Sequence, residues 1–214
     1  MIKRLIFDVD NTLITGASFT KAKAETLKYF DLYSEKNMQG FDKAIFTYES
    51  VYNSYNKKDY AEHLGKCINS IIPEGFYEVF FDRLQYVISD EYEEVARKIE
   101  ELSKNYELVL LTNFFSQSQL NRLNNMGIGK YFTEVHGEDL IKPNEYAFIK
   151  ACGPHKPEEC VMIGDSIDID VEGAKKAGLN AIFVNTKKID TSNLDVATVD
   201  KVEDITEEVL NKLI

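Results

Sequence analysis

Asp8-Val9-Asp10-Asn11-Thr12 follows directly on the short apolar run Leu5-Ile6-Phe7. Residues two apart on a strand point to the same side, so Asp8 and Asp10 can address one reacting centre. Paired carboxylates next to a metal suit phosphoryl transfer, but two aspartates near a turn are common. The pentapeptide gains weight only if other strands deliver matching groups.

Three later stretches do so. Thr112-Asn113 ends the apolar run Glu107–Thr112, and Lys142-Pro143 follows a loop of residues 137–141. Gly164-Asp165-Ser166 ends Cys160–Gly164, with Asp168 and Asp170 just beyond. Each has a mundane explanation alone: Asn and Thr favour turns, loop lysines are solvated, and Asp165 or Asp168 can start a helix. A hydroxyl, a lysine and repeated carboxylates, each past the end of a strand, occupy the positions where an open α/β sheet places its chemistry.

The elements carrying these groups are five apolar runs, Lys3–Phe7, Glu107–Thr112, Tyr131–His136, Cys160–Gly164 and Ala181–Asn185. Continuous rather than alternating apolar character fits strands covered on both faces, as in parallel sheets. Between them lie helix patterns. Glu91–Lys104 places Val95, Ile99 and Leu102 on one face, with Asp90 as N-cap and Glu93 following. Ser116 with Gln119 reads as a capping box for a helix reaching Met126, with Gly127 as its stop. Asp168 or Asp170 opens a helix ending near Ala177-Gly178. From residue 89 onward, helix and strand alternate, which predicts an α/β fold: a doubly wound, mostly parallel Rossmann-like sheet.

Residues 16–88 break this rhythm and read as helices rich in Lys, Glu, Asn and Tyr. Phe41, Ile45, Tyr48, Tyr52 and Tyr55 share one helical face, which predicts a packing stripe; the alternative is that some Tyr hydroxyls line a pocket. The division expected is a core of residues 1–15 and 89–214 with a helical cap at 16–88.

At 214 residues the chain can bury a substantial core. Its net charge of −11 opposes a nucleic-acid or anionic-membrane surface, though a bound cation can reverse the local field for a small phosphate. Cys67, Cys152 and Cys160 are odd in number and widely spaced, as in a reducing compartment. No apolar run reaches the roughly 18 residues of a membrane span, and the first stops at Asp8. The expectation is a cytoplasmic protein.

Taken in order, Asp8-Val9-Asp10-Asn11-Thr12, Leu111-Thr112-Asn113, Lys142-Pro143 and Gly164-Asp165-Ser166 through Asp170 resemble the motif series of the haloacid dehalogenase-like superfamily of phosphohydrolases. The resemblance covers essentially the whole chain, and residues 16–88 resemble its helical type of cap. It implies that Asp8 attacks phosphorus and that Asp10 serves as general acid, then base. It further implies that Mg²⁺ is held by Asp8, Asp165 and the Asp10 main-chain carbonyl. Thr112, Asn113 and Lys142 then bind the phosphate, and Asp170 supports the metal, leaving Asp168 as an N-cap or spare. Asn144 departs from the acidic residue that many relatives carry after the proline. The partner implied is a small phosphorylated metabolite.

Dehalogenases of the superfamily do not need Asp10 and Asp165. Sugar-phosphate phosphomutases share all these groups but often carry an acidic residue where Gly164 stands. A receiver-type phospho-accepting domain takes its accepting aspartate from a later strand, and a binding module without turnover normally lacks the nucleophile or acid. Isolated His63, His136 and His155 carry little information, although His136 ends a strand near the site. Lys57-Lys58 reads as a solvated helix end. Phe114-Phe115 lies either over the substrate or under the insert.

Overall fold

The structure is a computed structural model and describes residues 1–90 and 92–213. Six strands form one wholly parallel sheet: β1 (Arg4–Phe7), β2 (Glu107–Leu111), β3 (Phe132–His136), β4 (Cys160–Gly164), β5 (Asn180–Val184) and β6 (Ala197–Val199). Their spatial order is β3-β2-β1-β4-β5-β6. The order reverses at β1, so the residues leaving β1 and β4 lie beside the crevice that such a switch point opens.

The first five strands fall where the apolar runs predict them, within a residue at either end. β6 is new to the structure, and its three residues extend the sheet beyond β5. Continuous burial follows from coverage on both faces. Leu5 and Phe7 pack with Val95, Ile99 and Leu123 of α5 (Tyr92–Leu102) and α6 (Ser116–Asn125). Ile6, between them, points the other way to Phe148 and Ala174 of α7 (Glu145–Ala151) and α8 (Glu172–Lys176). Helix α9 (Glu207–Asn211) is the last element among the described residues.

Between β1 and α5 lie α1 (Thr20–Tyr29), α2 (Glu35–Thr47), α3 (Lys57–Ile68) and α4 (Phe76–Leu84). They enclose their own apolar cluster, in which Phe41, Tyr48, Leu64, Phe76 and Phe80 are wholly or nearly wholly buried. The predicted stripe on residues 41–55 packs there, but not as one helix. α2 stops at Thr47, a single 3₁₀ turn follows at Tyr48–Ser50, and Tyr52 and Tyr55 continue the packing from loop backbone. The ring pairs Tyr48–Tyr52 and Tyr48–Tyr55 lie 4.7 and 4.6 Å apart.

Two predicted caps differ from those observed. Ser116 is the first residue of α6 rather than its cap, and Phe115 precedes it without a side-chain cap bond. The helix stops at Gly127 as predicted, where φ is +75°. Ser166, not Asp168 or Asp170, caps the helical segment after β4: its hydroxyl accepts from the Ile169 N–H at 3.3 Å. Asp168 itself is exposed. The helix start predicted at Glu91 falls on a residue outside the described ones.

Candidate active site

β1 ends at Phe7 and the chain turns immediately. The Leu13 and Ile14 amides both donate to the Val9 carbonyl at 2.9 Å, and Asn11 takes φ of +63°, a conformation that Asn tolerates. The turn is held by its main chain. Thr12, the last residue of the motif, has a buried hydroxyl with no hydrogen-bond partner among the described residues.

This turn sends the two aspartates to different partners. Asp8 Oδ1 accepts from Lys142 Nζ at 2.8 Å, and the same ammonium donates to Asp170 Oδ1 at 2.7 Å. Lys142 and Asp170 are each only 2% exposed, so these are buried, charge-assisted bonds. Burial pulls the Lys142 ammonium down, but Asp170 and Asp8 override it and hold its pKa above the ordinary lysine range. Burial pushes the Asp8 carboxyl up to about 7, against the attraction of Lys142. Asp165 is also raised by burial, with Lys187 opposing from 3.2 Å.

One oxygen each of Asp8, Asp165 and Asp170 lies within 4.8 Å of the others. These are hard oxygen donors, the kind that Mg²⁺ and Ca²⁺ prefer. Three carboxylates against one buried ammonium leave an excess of negative charge, so the set fits a divalent cation. Gly164 makes room for the Asp170 carboxylate: a Cβ there would lie 2.2 Å from Asp170 Oδ2. No side chain, acidic or otherwise, fits at 164 while Asp170 keeps this position.

Asp10 has another environment. Its Oδ1 accepts from Arg122 Nη1 at 2.7 Å, and its Oδ2 from Gln119 Nε2 at 2.7 Å. Gln119 Nε2 also lies 3.3 Å from Thr112 Oγ1. The glutamine that suggested a capping box thus turns toward the aspartate. Neither Gln119 nor Arg122 is among the residues that sequence reasoning selects for the site. Their signal was nevertheless present, because positions 119, 122–123 and 126 form the buried stripe of α6, and two of those positions are polar.

Thr112 is buried at the end of β2. Asn113 is committed to protein groups: its Oδ1 accepts from the Lys142 N–H at 2.8 Å, and its Nδ2 donates to the Lys142 carbonyl at 2.9 Å. That clasp fixes the backbone carrying the lysine. Nδ2 also reaches Glu49 Oε2 of the insert at 3.0 Å, and Glu49 Oε1 accepts from the Tyr55 hydroxyl at 2.7 Å. Asn144 caps α7, accepting from the Tyr146 N–H at 2.9 Å, so the less usual residue after the proline starts the next helix.

Phe114 and Phe115 are buried in the insert's aromatic cluster. His136 lies 3.0 Å from Glu134 Oε2, and Lys57, at the first turn of α3, pairs with Glu78.

A family model described as haloacid dehalogenase-like hydrolase matches residues 2–178. The chain belongs to that family. It is an enzyme, a hydrolase whose sequence relatives are named phosphatases. It is 23% identical to a glyceraldehyde 3-phosphate phosphatase of Methanothermobacter thermautotrophicus, over 97% of this chain and 99% of the relative. Its identity to the N-acylneuraminate-9-phosphatase of Rattus norvegicus is 28%, over 86% and 83% respectively. The fold is shared with the putative HAD-hydrolase YfnB of Bacillus subtilis, solved bound to magnesium, at TM-score 0.67 and 18% identity over 99% and 98% of the two chains. An HAD phosphatase from Thermococcus onnurineus superposes at TM-score 0.68 with 21% identity over 94% of each chain. No helix among the described residues is long and apolar enough to cross a membrane.

Proposed function

We propose that the chain is a cytoplasmic, Mg²⁺-dependent phosphatase that hydrolyses a small phosphomonoester through an aspartyl-phosphate on Asp8. The observation that carries this reading is the separation of the two aspartates. Asp8 shares a buried ammonium and a set of hard oxygen donors, whereas Asp10 sits apart on Gln119 and Arg122.

In the first half-reaction an Asp8 carboxylate oxygen bonds to phosphorus, and the bond from phosphorus to the leaving oxygen breaks. The electron pair of that bond goes to the leaving oxygen, which takes a proton from Asp10. In the second, water bonds to phosphorus as its proton passes to Asp10. The Asp8–phosphorus bond then breaks, restoring the Asp8 carboxylate and releasing phosphate. Lys142 and the Thr112 hydroxyl hold the equatorial oxygens, where charge spreads in the transition state. Asn113 keeps Lys142 in place.

Asp8, Asp165 and Asp170 would hold the Mg²⁺, with the Asp10 main-chain carbonyl beside them. When bound, the cation supplies positive charge opposite the phosphate oxygens. Residues 16–88 act as the cap that selects the leaving group and excludes water, on a core of residues 1–15 and 89–214. The crowding of Gly164 by Asp170 favours plain hydrolysis over the mutase alternative, which often calls for an acidic side chain at that position.

A hydrolysis screen with Mg²⁺ tests the reading. The panel includes glyceraldehyde 3-phosphate, N-acylneuraminate 9-phosphate and pyrimidine 5′-nucleotides, chosen from the names of the relatives, together with sugar phosphates. Turnover of at least one member, lost in Asp8→Asn, is expected. Full activity in Asp8→Asn, or no hydrolysis of any ester, would overturn it. Asp10→Asn should lose about 10²- to 10⁴-fold, the range of a general acid–base group.

A further inference from the structure

Arg122 is the bulkiest of the fully buried side chains among the described residues. Burying a guanidinium is costly unless its charge and donors are matched. An apolar residue would fill the same stripe of α6 at lower cost, as Leu123 and Met126 do. The reason for a charge at this position lies in its partners. Nη1 donates to Asp10 Oδ1 at 2.7 Å and to Gln119 Oε1 at 2.8 Å. Nε donates to the Val87 carbonyl at 2.8 Å, and the guanidinium lies 5.1 Å from the centre of the Phe19 ring. Nη2 has no hydrogen-bond partner among the described residues.

Two consequences follow. Both Asp10 oxygens are engaged, one by Arg122 and one by Gln119, which fixes the plane of the carboxylate. Each oxygen keeps a further acceptor site, and 40% of the Asp10 side chain remains exposed, so the group is held and still reachable. The second consequence concerns the insert. Phe19 directly precedes α1 and Val87 lies shortly after α4, so both connections between insert and sheet pack on the residue that holds Asp10.

We propose, resting on the phosphatase reading above, that Arg122 and Gln119 are positioning residues for Asp10, and that Arg122 ties its orientation to both connections of the helical insert. Gln119 extends the brace to the Thr112 hydroxyl, so acid–base group and phosphate-holding group share one support. Proton transfer requires hydrogen-bond reach, and small misplacements of a reacting group cost much rate. The competing account makes Arg122 only a fastener between α6 and the linkers.

Leaving groups separate the two accounts. As the phosphorus–oxygen bond breaks, an alkoxide needs the Asp10 proton, whereas p-nitrophenolate departs without one. Release of the alcohol is included in kcat/KM, so this parameter reports the step. Arg122→Leu, Arg122→Lys and Gln119→Ala are assayed with Mg²⁺ on an alkyl phosphate that the wild type hydrolyses and on p-nitrophenyl phosphate, with thermal melts alongside. Arg122→Leu and Gln119→Ala should lose about 100-fold on the alkyl ester and under about 10-fold on the aryl ester. Arg122→Lys should recover part of the alkyl activity.

Equal losses on both esters, or no loss, would overturn the proposal. Gln119→Ala removes no charge and no hydrogen bond to the linkers, so it decides the matter if Arg122→Leu does not fold. A wild type inactive on every ester overturns the phosphatase reading itself, which distinguishes the two failures.

Discussion

Around the carboxyl end of the sheet, charged side chains stand at hydrogen-bond distance from one another, while the helical insert above is held by stacked and edge-on rings. Lys142 joins Asp8 and Asp170, and Arg122 joins Asp10 and Gln119. In the insert, Tyr48, Tyr55, Tyr60, Phe41 and Phe80 meet ring to ring, and Phe114 and Phe115 carry that packing down to the core. The first region depends on direction, because each donor must face its acceptor. The second depends on buried area, which has no direction. Single changes should therefore cost turnover in the first region, with or without stability, and stability alone in the second.

The largest expected effect is that of Asp8→Asn, with kcat down on the order of 10⁴-fold or more, as for loss of a covalent nucleophile. The same variant should not lose stability. The folded-state pKa of Asp8 is raised from 3.8 to about 7. Such a group contributes stability below its unfolded pKa and loses that contribution as pH rises through the folded value. In cation-free buffer the melting temperature of Asp8→Asn, relative to wild type, should thus climb between those two pH values. A constant difference across that window would contradict the burial argument.

Lys142→Met should follow. It strands Asp8 and Asp170 without their shared cation, for about 3 kcal/mol of stability, and it removes a donor to the phosphate, for about 10²-fold in kcat. Unchanged turnover would detach Lys142 from the site.

Phe80→Ala, in the insert, should cost about 3 kcal/mol in a denaturant melt and leave kcat for p-nitrophenyl phosphate within a few-fold well below the melting temperature. A large loss of kcat there would erase the contrast between the regions. Glu49→Gln, where the regions meet, should be mildest. It weakens the bridge from Tyr55 to Asn113 and removes a negative charge above the site, so kcat/KM for esters with an anionic leaving group should rise a few-fold relative to neutral ones. A fall would place no repulsion there.

The same division governs what could be read from the sequence. β1, β2 and β4 are continuous apolar runs because both their faces are buried, and the reactive groups follow at their ends. Asp8, Thr112 and Asp165 can therefore be picked out by place as well as by type, whereas Lys142 comes only after a loop that follows β3. β6 was missed because three residues carry no period. The stripe from Phe41 to Tyr55 was read as one helix because spacing reports which side chains share a cluster, not whether the backbone between them is helical. Asn53-Ser54, turn-forming residues, bring Tyr55 back to the same cluster without a helix. Gln119 was misread because Ser-x-x-Gln is also a capping pattern. Only the fold brings Asp10, 109 residues away in sequence, within reach of that amide. For Arg122 the α6 spacing shows a polar residue on the apolar stripe, but a long-range ion pair leaves no local pattern that names its partner.

The central claim is that Asp8 carries the phosphoryl group. Rapid acid quench of the enzyme turning over a phosphomonoester with Mg²⁺, followed by peptide mass analysis, tests it most directly. The account predicts a phosphoryl adduct on Asp8 that accumulates when Asp10→Asn slows its hydrolysis and is absent from Asp8→Asn. A phosphoryl adduct on another residue, or full turnover by Asp8→Asn, would contradict it.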